Sequence, residues 1–368
     1  MGDPRQVRKR FRLPIGLASA VVWGAVSGLW TPRAPATVVQ ALASIGISFA
    51  VGLLAGWFSR SRWAMLLAPV LFAVTVEVIR ARLQGPTVDA PHLSPFGILA
   101  LLVGRGFHGL LSLLPLLVGA AYGAGIARQT EPVRLNGGRV WRYLGRAGLG
   151  VLAGVVVIVA VGVALPARTP PILGTDGKPR PGSIAELTSV TVAGHRLGLM
   201  IRGANSSAPV LLFVPGPPGG SEIGGLRRHL SGLEQHFVVA TVDRRGGGKS
   251  YAALEPAATL TLDGETRSLL GVTDYLRKRF RQDQIYLAAH SGGTIPATLA
   301  VQRRPEWFRA YVGAGQVVSP TDSDRTQYQD TLAWARSTGR TELVRQLTEL
   351  GPPPYDNLYS YEPMLINE

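Results

Sequence analysis

Long apolar runs fill the chain before residue 166, and shorter apolar runs alternate with amphipathic ones after it. A helix needs about 20 mostly apolar residues to cross a membrane. Five runs of roughly that length predict five spans, at about 13–30, 36–58, 63–79, 109–127 and 147–165. The shorter run 96–103 predicts an interfacial or re-entrant segment, or a sixth span. Residues 1–165 are therefore expected to form a transmembrane helical domain.

The pattern changes after residue 166. Residues 166–187 are rich in proline and glycine, which is typical of an extended linker. Beyond them, β-like runs alternate with helical ones, which predicts a mainly parallel sheet with helices on both faces. The predicted strands are 188–192, 197–202, 210–214, 237–243, 284–288 and 310–313, with the first two forming a hairpin. We expect an α/β core over residues 188–320 and the start of a helical lid over 321–368.

Composition supports a membrane protein and narrows the chemistry. The mean hydropathy is +0.19 and 17% of the residues are charged, against about 25% in soluble proteins. The net charge of +15 comes largely from basic clusters beside the apolar runs, so we expect a lipid bilayer rather than a nucleic acid as the partner. The absence of cysteine excludes disulfides, thiolate metal sites and a cysteine nucleophile. Neither a cofactor nor a metal ion is expected.

Basic residues beside membrane spans favour the cytoplasmic side. With a cytoplasmic N-terminus and five spans, twelve Lys and Arg residues flank the spans on the inside and four on the outside. A sixth span would reverse this placement and put the basic residues between Arg139 and Arg146 outside. The charges therefore predict a multi-pass cell-membrane protein whose C-terminal domain lies outside the cytoplasm.

The first chemical motif is Ala289-His290-Ser291-Gly292-Gly293, which follows a predicted strand and precedes a predicted helix. A sharp strand-to-helix turn of this kind needs small residues beside a serine and holds its Oγ clear of the sheet. The N-terminus of the following helix favours developing negative charge. Ser291 is thus the candidate nucleophile, and the N–H of Gly292 is a candidate oxyanion donor.

Two glycine-rich loops follow two earlier strands. One reads PGPPGG, from Pro215 to Gly220, and the other reads DRRGGGKS, from Asp243 to Ser250. The second loop ends in GKS, but a phosphate-binding P-loop would need glycine where Asp243 stands. Nucleotide binding is therefore not expected.

These three motifs together resemble the proline-iminopeptidase-like branch of the α/β-hydrolase fold. Members of that branch read HGGPG, then D-x-R-G-x-G-x-S, then GHSxGG, each after a strand, and this chain carries its versions in the same order. The resemblance implies a serine hydrolase that cleaves an amide or ester, with an Asp and a His completing the triad after the elbow. It assigns an oxyanion loop (Gly216, Pro217, Gly219 and Gly220) and a second family loop (Asp243, Arg245, Gly246, Gly248 and Ser250).

The chain departs from the family pattern in the oxyanion loop and in the triad. Pro215 replaces the family's histidine, and Pro217, which has no N–H, replaces a glycine whose N–H faces the oxyanion. No histidine follows His290, whose own side chain is expected to point away from the nucleophile. Asp322 and Asp324 follow the last predicted strand, where they would either supply the triad acid or cap a helix.

The family fold has two further strands that carry the Asp and the His. We therefore expect that the chain is cut short within its lid and that the general base would come from beyond residue 368.

Three functions fit these patterns. The first is a membrane-anchored serine hydrolase, of the peptidase or esterase type, that acts on small extracytoplasmic substrates through an acyl-enzyme on Ser291. The second is a catalytically inactive hydrolase-like domain with a role in binding or membrane assembly. The third is a transporter or sensor, for which the candidates near membrane depth are Glu77, Arg105 and His108.

Overall fold

The structure is a computed structural model that describes residues 4–30, 36–61, 63–81, 92–128, 139–216, 220–254 and 257–366. The chain divides into two compact units, Met1–Pro166 and Ala167–Glu368. The first is termed the helical unit and the second the sheet unit.

The described part of the helical unit consists of helices: α1 (Pro4–Trp30), α2 (Val38–Ser59), α3 (Ala64–Arg80), α4 (Pro95–Arg128) and α5 (Arg139–Ala164). Within the described residues, four stretches are long and apolar enough to cross a membrane: Leu13–Trp30, Val38–Ser59, Gly97–Arg128 and Tyr143–Ala164. The sequence predicted five such spans. The exception is α3, which has 17 residues and falls short of the usual span length of about 20.

Helix α4 corrects the expectation of a separate short segment at 96–103. Those residues belong to one continuous helix of 34 residues. In the sequence, the charge of Arg105 marked a boundary between two runs. In the structure, Arg105 Nε lies 2.6 Å from Glu77 Oε1 on α3. Because an ion pair satisfies both charges, the helix continues through the arginine.

Helices α2 and α4 pack against each other through glycine. A Cβ on Gly52 or Gly56 would overlap main-chain oxygen atoms of α4, and a Cβ on Gly119 or Gly123 would overlap those of α2. Small residues at such positions allow close backbone approach, as in the helix pairs of membrane proteins. Main-chain contact therefore sets the spacing between these two helices.

The sheet unit is built on six strands in the order β1-β2-β4-β3-β5-β6. The strands are β1 (Ile184–Val192), β2 (His195–Gly203), β3 (Val210–Val214), β4 (Val238–Val242), β5 (Ile285–His290) and β6 (Phe308–Ala314). Strands β4, β3, β5 and β6 are parallel, whereas β1 and β2 form an antiparallel hairpin that pairs with β4. The sheet is thus mostly parallel and mixed at one edge.

The hairpin turns at Ala193 and Gly194, which both have positive φ, as two-residue hairpin turns require. Strand β1 begins at Ile184 and therefore starts inside the range predicted as linker. Earlier in that range, Leu173 pairs with Pro179 in an isolated β-bridge. Part of the proline- and glycine-rich stretch therefore forms regular structure through a contact between two of its own residues.

Helices lie between the strands or follow the last strand: α6 (Ile223–His229), α7 (Leu262–Phe280), α8 (Thr294–Arg303), α9 (Pro320–Ser337), α10 (Thr341–Leu350) and α11 (Glu362–Leu365). The last three pack on one another in a separate apolar cluster. Strands β3 and β4 are buried almost throughout, which explains why they appear in the sequence as unbroken apolar runs. Leu212 and Leu287 of the sheet and Leu276 of α7 are fully buried in the aliphatic core. This core fixes the carboxyl ends of β3, β4 and β5, where the three motifs lie.

Candidate active site

The turn predicted around Ser291 lies at the carboxyl end of β5. The strand ends at His290, a 3-10 turn spans Ser291–Gly293, and α8 begins at Thr294. Ser291 has a φ of 48°, a left-handed conformation that costs a non-glycine residue about 1–2 kcal/mol. Strain of this kind is typical of a serine held on a nucleophile elbow.

The small residues of the elbow are required by close packing against the loop after β3. A Cβ on Gly293 would overlap the carbonyl oxygen of Pro215, and a Cβ on Gly292 would lie 3.0 Å from the carbonyl oxygen of Gly216. Ala289 is buried beneath the turn. Larger side chains at these positions would push the loop and the elbow apart.

The N–H of Gly292 lies in the first turn of a helical segment. Main-chain N–H groups at this position have no acceptor within the helix, and the dipole of the following helix favours negative charge. These two properties suit the oxyanion donor that the sequence assigned to Gly292.

Thr294 connects the elbow to the loop after β6 through two hydrogen bonds. Its Oγ1 donates to the carbonyl oxygen of Ser291 at 2.5 Å and accepts from the N–H of Val317 at 3.0 Å. The sequence analysis did not single out this threonine. Its place directly before the helix predicted after the elbow was the one available signal.

The expected oxyanion loop is described in part. Gly216 is buried and Gly220 is half-buried, whereas Pro217 and Gly219 lie outside the described residues. The effect of the Pro217 departure therefore stays a prediction.

The structure gives a hydrogen-bond partner for one main-chain N–H among the described residues of the oxyanion loop, and that partner is a carboxylate. The N–H of Gly216 donates to Glu222 Oε1 at 3.0 Å, so it is not directed at a substrate oxygen. The carbonyl oxygen of Gly216 accepts from Arg244 Nη1 at 2.9 Å. Both polar groups of Gly216 are thus bound by charged side chains.

The side chain of His290 contacts Glu222 beside the oxyanion loop. Its Nδ1 lies 3.1 Å from Glu222 Oε1. Both this Nδ1 atom and the Cβ of Ser291 lie within 3.1 Å of the position that a Cβ on Gly216 would occupy. When Nδ1 carries the ring proton, it donates to the carboxylate. Glu222 therefore joins the oxyanion loop to the residue before the serine.

The triad partners expected for Ser291 are not assembled in the described part of the chain. Among the described residues, no side chain hydrogen-bonds to Ser291 Oγ. Asp322 lies in the first turn of α9, where its N–H donates to the N-cap residue Ser319 at Oγ across 3.4 Å, a helix-capping contact, and its carboxylate accepts from the same hydroxyl at 2.6 Å. Asp324 Oδ2 accepts from Tyr361 OH at 3.2 Å. Within the described ranges, no group of three or more His, Asp or Glu side chains is arranged to hold a metal ion.

Hydrogen bonds to Asp243 stabilise the second family loop. The carboxylate is buried and accepts from the N–H of Lys249 at 2.8 Å. Burial raises the pKa of Asp243, and hydrogen bonds from Lys249 and Ser221 counteract only part of that rise. Ser250 Oγ donates to the carbonyl oxygen of Asp243 at 2.6 Å and accepts from the N–H of Gly198 at 2.8 Å.

The remaining residues of this loop are also structural. The guanidinium of Arg245 donates to the carbonyl oxygen of Ala253 and to Thr259 Oγ1, at 3.0 and 2.9 Å. Gly246 and Gly248 have positive φ, and a Cβ on Gly248 would overlap the carboxylate of Asp243. The loop therefore supports the site without presenting these side chains to a substrate.

Glu222 and Arg244 are site residues that the sequence analysis missed. Glu222 stands two residues after the oxyanion loop, and Arg244 stands inside the second motif. Arg244 Nε also lies 3.0 Å from Glu265 Oε2 on α7. A sequence motif predicts which residues lie in a loop. It does not predict the contacts of Glu222 and Arg244, because the residues that they contact lie on other elements of the fold.

Comparison with known families bears on the same region. Residues 209–345 match the family described as alpha/beta hydrolase fold. The matched range contains the elbow and both loops, so the sheet unit is termed the hydrolase domain below.

Similar proteins include a curated relative and several solved structures. The "Probable aminopeptidase YbaC" of Bacillus subtilis (strain 168) is 34% identical over 177 residues, which are 48% of this chain and 56% of that protein. The chain therefore spans little more than half the length of this relative.

Two solved structures are similar to part of the chain. The proline iminopeptidase-related protein from Thermus thermophilus has 22% identity and a TM-score of 0.37 over 50% of this chain and 57% of its own. The epoxide hydrolase VrEH1 from Vigna radiata has 23% identity and a TM-score of 0.34 over 50% of this chain and 66% of its own.

Proposed function

We propose that this protein is a membrane-anchored serine hydrolase that cleaves a small peptide or ester through an acyl-enzyme on Ser291. The observation that carries the proposal is the elbow itself, with a strained serine at the junction of β5 and α8. The name of the Bacillus relative favours a peptide over an ester as the substrate. The apolar helices support the membrane anchor.

In the proposed reaction, Ser291 Oγ attacks the carbonyl carbon of the substrate. The N–H of Gly292 stabilises the oxyanion of the tetrahedral intermediate, a contribution typically worth about 10²–10³ in rate. Collapse of the intermediate expels the amine or alcohol and leaves an acyl-enzyme, which water then hydrolyses. A general base must take the proton of Ser291 Oγ, and the proposal leaves that base unassigned.

A fluorophosphonate probe tests this proposal because it labels only activated serines. We expect the full-length protein in membranes to be labelled and Ser291→Ala to lose the label. Ser207→Ala is a suitable control, because Ser207 is exposed and far along the chain from the elbow. Labelling that persists in Ser291→Ala would contradict the assignment of the nucleophile.

A second candidate function is a hydrolase-like domain without catalytic activity. The geometry of Gly216 favours it, because the N–H of this residue is bound to Glu222 instead of facing a substrate oxygen. If the folded wild-type protein neither takes up the probe nor hydrolyses p-nitrophenyl esters, this second function replaces the first.

We also propose that the hydrolase domain lies outside the cytoplasm. This placement requires α3 to cross the membrane, because five crossings put the two ends of the helical unit on opposite sides and four do not. The excess of basic residues on the inner segments supports five crossings. The charge pair Glu77–Arg105 would let the short α3 cross beside α4.

The lack of cysteine in this chain makes the placement easy to test. Single cysteines at Ser207, Ser61 and Ala36 would be probed in intact cells with a membrane-impermeant maleimide. We expect the reagent to label Ser207→Cys and Ala36→Cys but not Ser61→Cys. Protection of Ser207→Cys would place the hydrolase domain in the cytoplasm.

A further inference from the structure

The segment that follows α5 is bound to the hydrolase domain at the edge of the sheet opposite Ser291. Arg202 Nη1 donates to Thr169 Oγ1 at 2.6 Å and to the carbonyl oxygen of Pro170 at 2.5 Å. Arg202 on β2 pairs in register with Val239, the second residue of β4. The contact therefore lies at the amino ends of the parallel strands, whereas Ser291 follows the carboxyl end of β5.

The short connection to α5 keeps this edge close to the end of that helix. Helix α5 ends at Ala164, where its apolar stretch Tyr143–Ala164 also ends. The chain from Ala164 to Thr169 spans at most about 18 Å when it is fully extended. When α5 crosses the bilayer as proposed, the amino edge of the sheet is thus tethered within that distance of the end of the crossing.

The same edge carries arginines around a tryptophan. The Cζ atoms of Arg277 and Arg304 lie 4.6 and 5.2 Å from the centroid of the Trp307 ring. Arg281, the residue directly after α7, and Arg309, the second residue of β6, are exposed. These four arginines and Trp307 are termed the basic edge.

The basic edge keeps a positive excess after its ion pairs are counted. The other charged residues of the same segments are Lys278 and three carboxylates, those of Asp274, Asp283 and Glu306. Asp274 and Glu306 are bound to cations of this group. Five cations against three carboxylates leave a net charge of +2. Arg281 and Arg309 have no acidic partner among the described residues, so their charge is available to a ligand.

The residue types of the basic edge fit the interface of a bilayer. The ring of Trp307 is half-buried, and its indole N–H has no hydrogen-bond acceptor in the described part of the chain. Tryptophan is enriched at membrane interfaces, where the ring lies beside apolar groups and the N–H bonds to polar ones. The planar guanidinium of arginine binds phosphate oxygens in pairs. Together these groups match the phosphate headgroups of anionic phospholipids.

Compensation of helix dipoles explains only part of this arrangement. Arg277 and Arg304 lie at the carboxyl ends of α7 and α8, where cations are favoured. Arg309 lies on a strand instead. Four strand spacings, or about 19 Å, separate β2 with its bound tether from β6. Two attachments that far apart along one edge would restrict how the domain tilts on a surface.

We propose that the basic edge binds the headgroups of anionic phospholipids and holds the hydrolase domain on the bilayer with Ser291 on the side away from the lipid. This inference rests on the membrane anchor of the proposed function and adds a lipid-binding surface and an orientation. It implies that substrates reach Ser291 from the aqueous phase.

Fluorescent labels on single cysteines test the inference in the full-length protein, because the chain has no cysteine of its own. Gln302→Cys lies near the end of α8, toward the amino edge, and Ser323→Cys lies in the first turn of α9, after the carboxyl end of β6. Both positions are exposed. The labelled proteins would be placed in nanodiscs whose lipids carry a nitroxide quencher on the headgroup. The discs would hold either phosphatidylcholine alone or an equal mixture with phosphatidylglycerol.

We expect the nitroxide to quench the label at Gln302→Cys more than the label at Ser323→Cys, and to do so more strongly in the anionic discs. Each cation near an anionic surface contributes about 5-fold to binding. Arg281→Gln combined with Arg309→Gln should therefore lower the ratio of bound to unbound edge by about 25-fold.

Arg227→Gln combined with Arg228→Gln is the matched control, because it removes two exposed arginines from α6, which follows the oxyanion loop. This control should quench like the wild type. Quenching at Gln302→Cys that is equal in the two kinds of disc, or that survives loss of Arg281 and Arg309, would overturn the inference. The basic residues would then compensate helix dipoles only.

The readout is independent of catalysis, so this inference and the proposed function can fail separately. Quenching that depends on lipid charge in a protein that takes up no fluorophosphonate supports the lipid-binding edge and counts against the hydrolase. A protein that is labelled at Ser291 without such quenching retains the hydrolase function and overturns the lipid-binding edge.

Discussion

Arg244 Nη1 donates to the carbonyl oxygen of Gly216 across 2.9 Å and joins the loop after β4 to the loop after β3. The same guanidinium is held from the other side by Glu265 on α7. Three elements are thereby connected through one planar side chain. The position of Gly216 against the elbow therefore depends on a residue from a different loop.

Replacement of Arg244 is predicted to slow the reaction of Ser291 without unfolding the domain. We expect Arg244→Gln to lower the rate of fluorophosphonate labelling by about 10-fold, a typical effect of a small misplacement near the reacting atoms. Arg244→Lys should not restore the rate, because a single ammonium cannot reproduce the fork that bridges Glu265 and Gly216. Wild-type labelling in Arg244→Lys would show that charge alone suffices.

A methyl group on Gly216 is predicted to disturb the elbow directly. It would lie 2.9 Å from the Cβ of Ser291 and 3.0 Å from the carbonyl oxygen of His290, so the loop or the serine must move. We expect Gly216→Ala to reduce labelling by more than about 10-fold while the melting temperature changes little. Gly224→Ala in the neighbouring helix α6 has open space around its Cβ and should behave like the wild type.

The buried ion pair of Arg202 and Glu234 is predicted to stabilise the hairpin edge of the sheet. Arg202 Nε lies 2.8 Å from Glu234 Oε1, and the two side chains are 8% and 7% exposed. Removal of one partner from such a pair costs about 3–5 kcal/mol, because the other charge is left buried and unpaired. Glu234→Ala should therefore lower the protection of β2 amides in hydrogen exchange by a corresponding amount.

An exposed ion pair in the same domain provides the comparison for that experiment. Glu342 and Arg345 on α10 are in contact at 2.6 Å, but both are more than half exposed. Solvent screens such a pair, so Glu342→Ala should leave amide protection nearly unchanged. Similar effects of the two substitutions would contradict the importance given to burial.

The pH dependence of stability is predicted to carry a contribution from Asp243. Burial raises the pKa of this carboxyl above its ordinary value, so the folded state holds the proton more tightly than the unfolded state. This group therefore favours folding most at acidic pH, and its contribution falls as the pH rises from the ordinary to the raised pKa. Asp243→Asn should lack this fall, as measured by thermal unfolding of the full chain between about pH 4 and 7. Parallel curves for the two proteins would contradict the prediction.

The parts of the fold that follow from neighbouring residues could be predicted from the sequence. Ser291 was recognised because a strand, small residues and a helix follow one another without interruption. The pairing of His290 with Glu222 could not be predicted, because the two residues are 68 positions apart and meet only because β3 and β5 are neighbours in the sheet. Likewise, Arg105 suggested a break until the structure paired it with Glu77.

The length of α3 illustrates a different limit of prediction from sequence. Its apolar run resembles the other predicted spans, and hydropathy alone does not distinguish a helix of 17 residues from a full crossing. Whether such a helix crosses depends on its neighbours and on charge pairing, which pattern alone does not contain. The oxyanion loop could also be located from the motif, but the use of its Gly216 N–H by Glu222 could not.

The glycine contact between α2 and α4 has a consequence for how this protein tolerates mutation. Positions 52, 56, 119 and 123 leave no room for any side chain, although they contribute no chemistry. Apolar positions on the outward faces of the same helices are exposed and should accept most apolar replacements. A saturation scan scored by abundance would therefore find these four glycines intolerant to substitution, and a scan scored by hydrolysis would add Ser291 and its neighbours as a second, separate group.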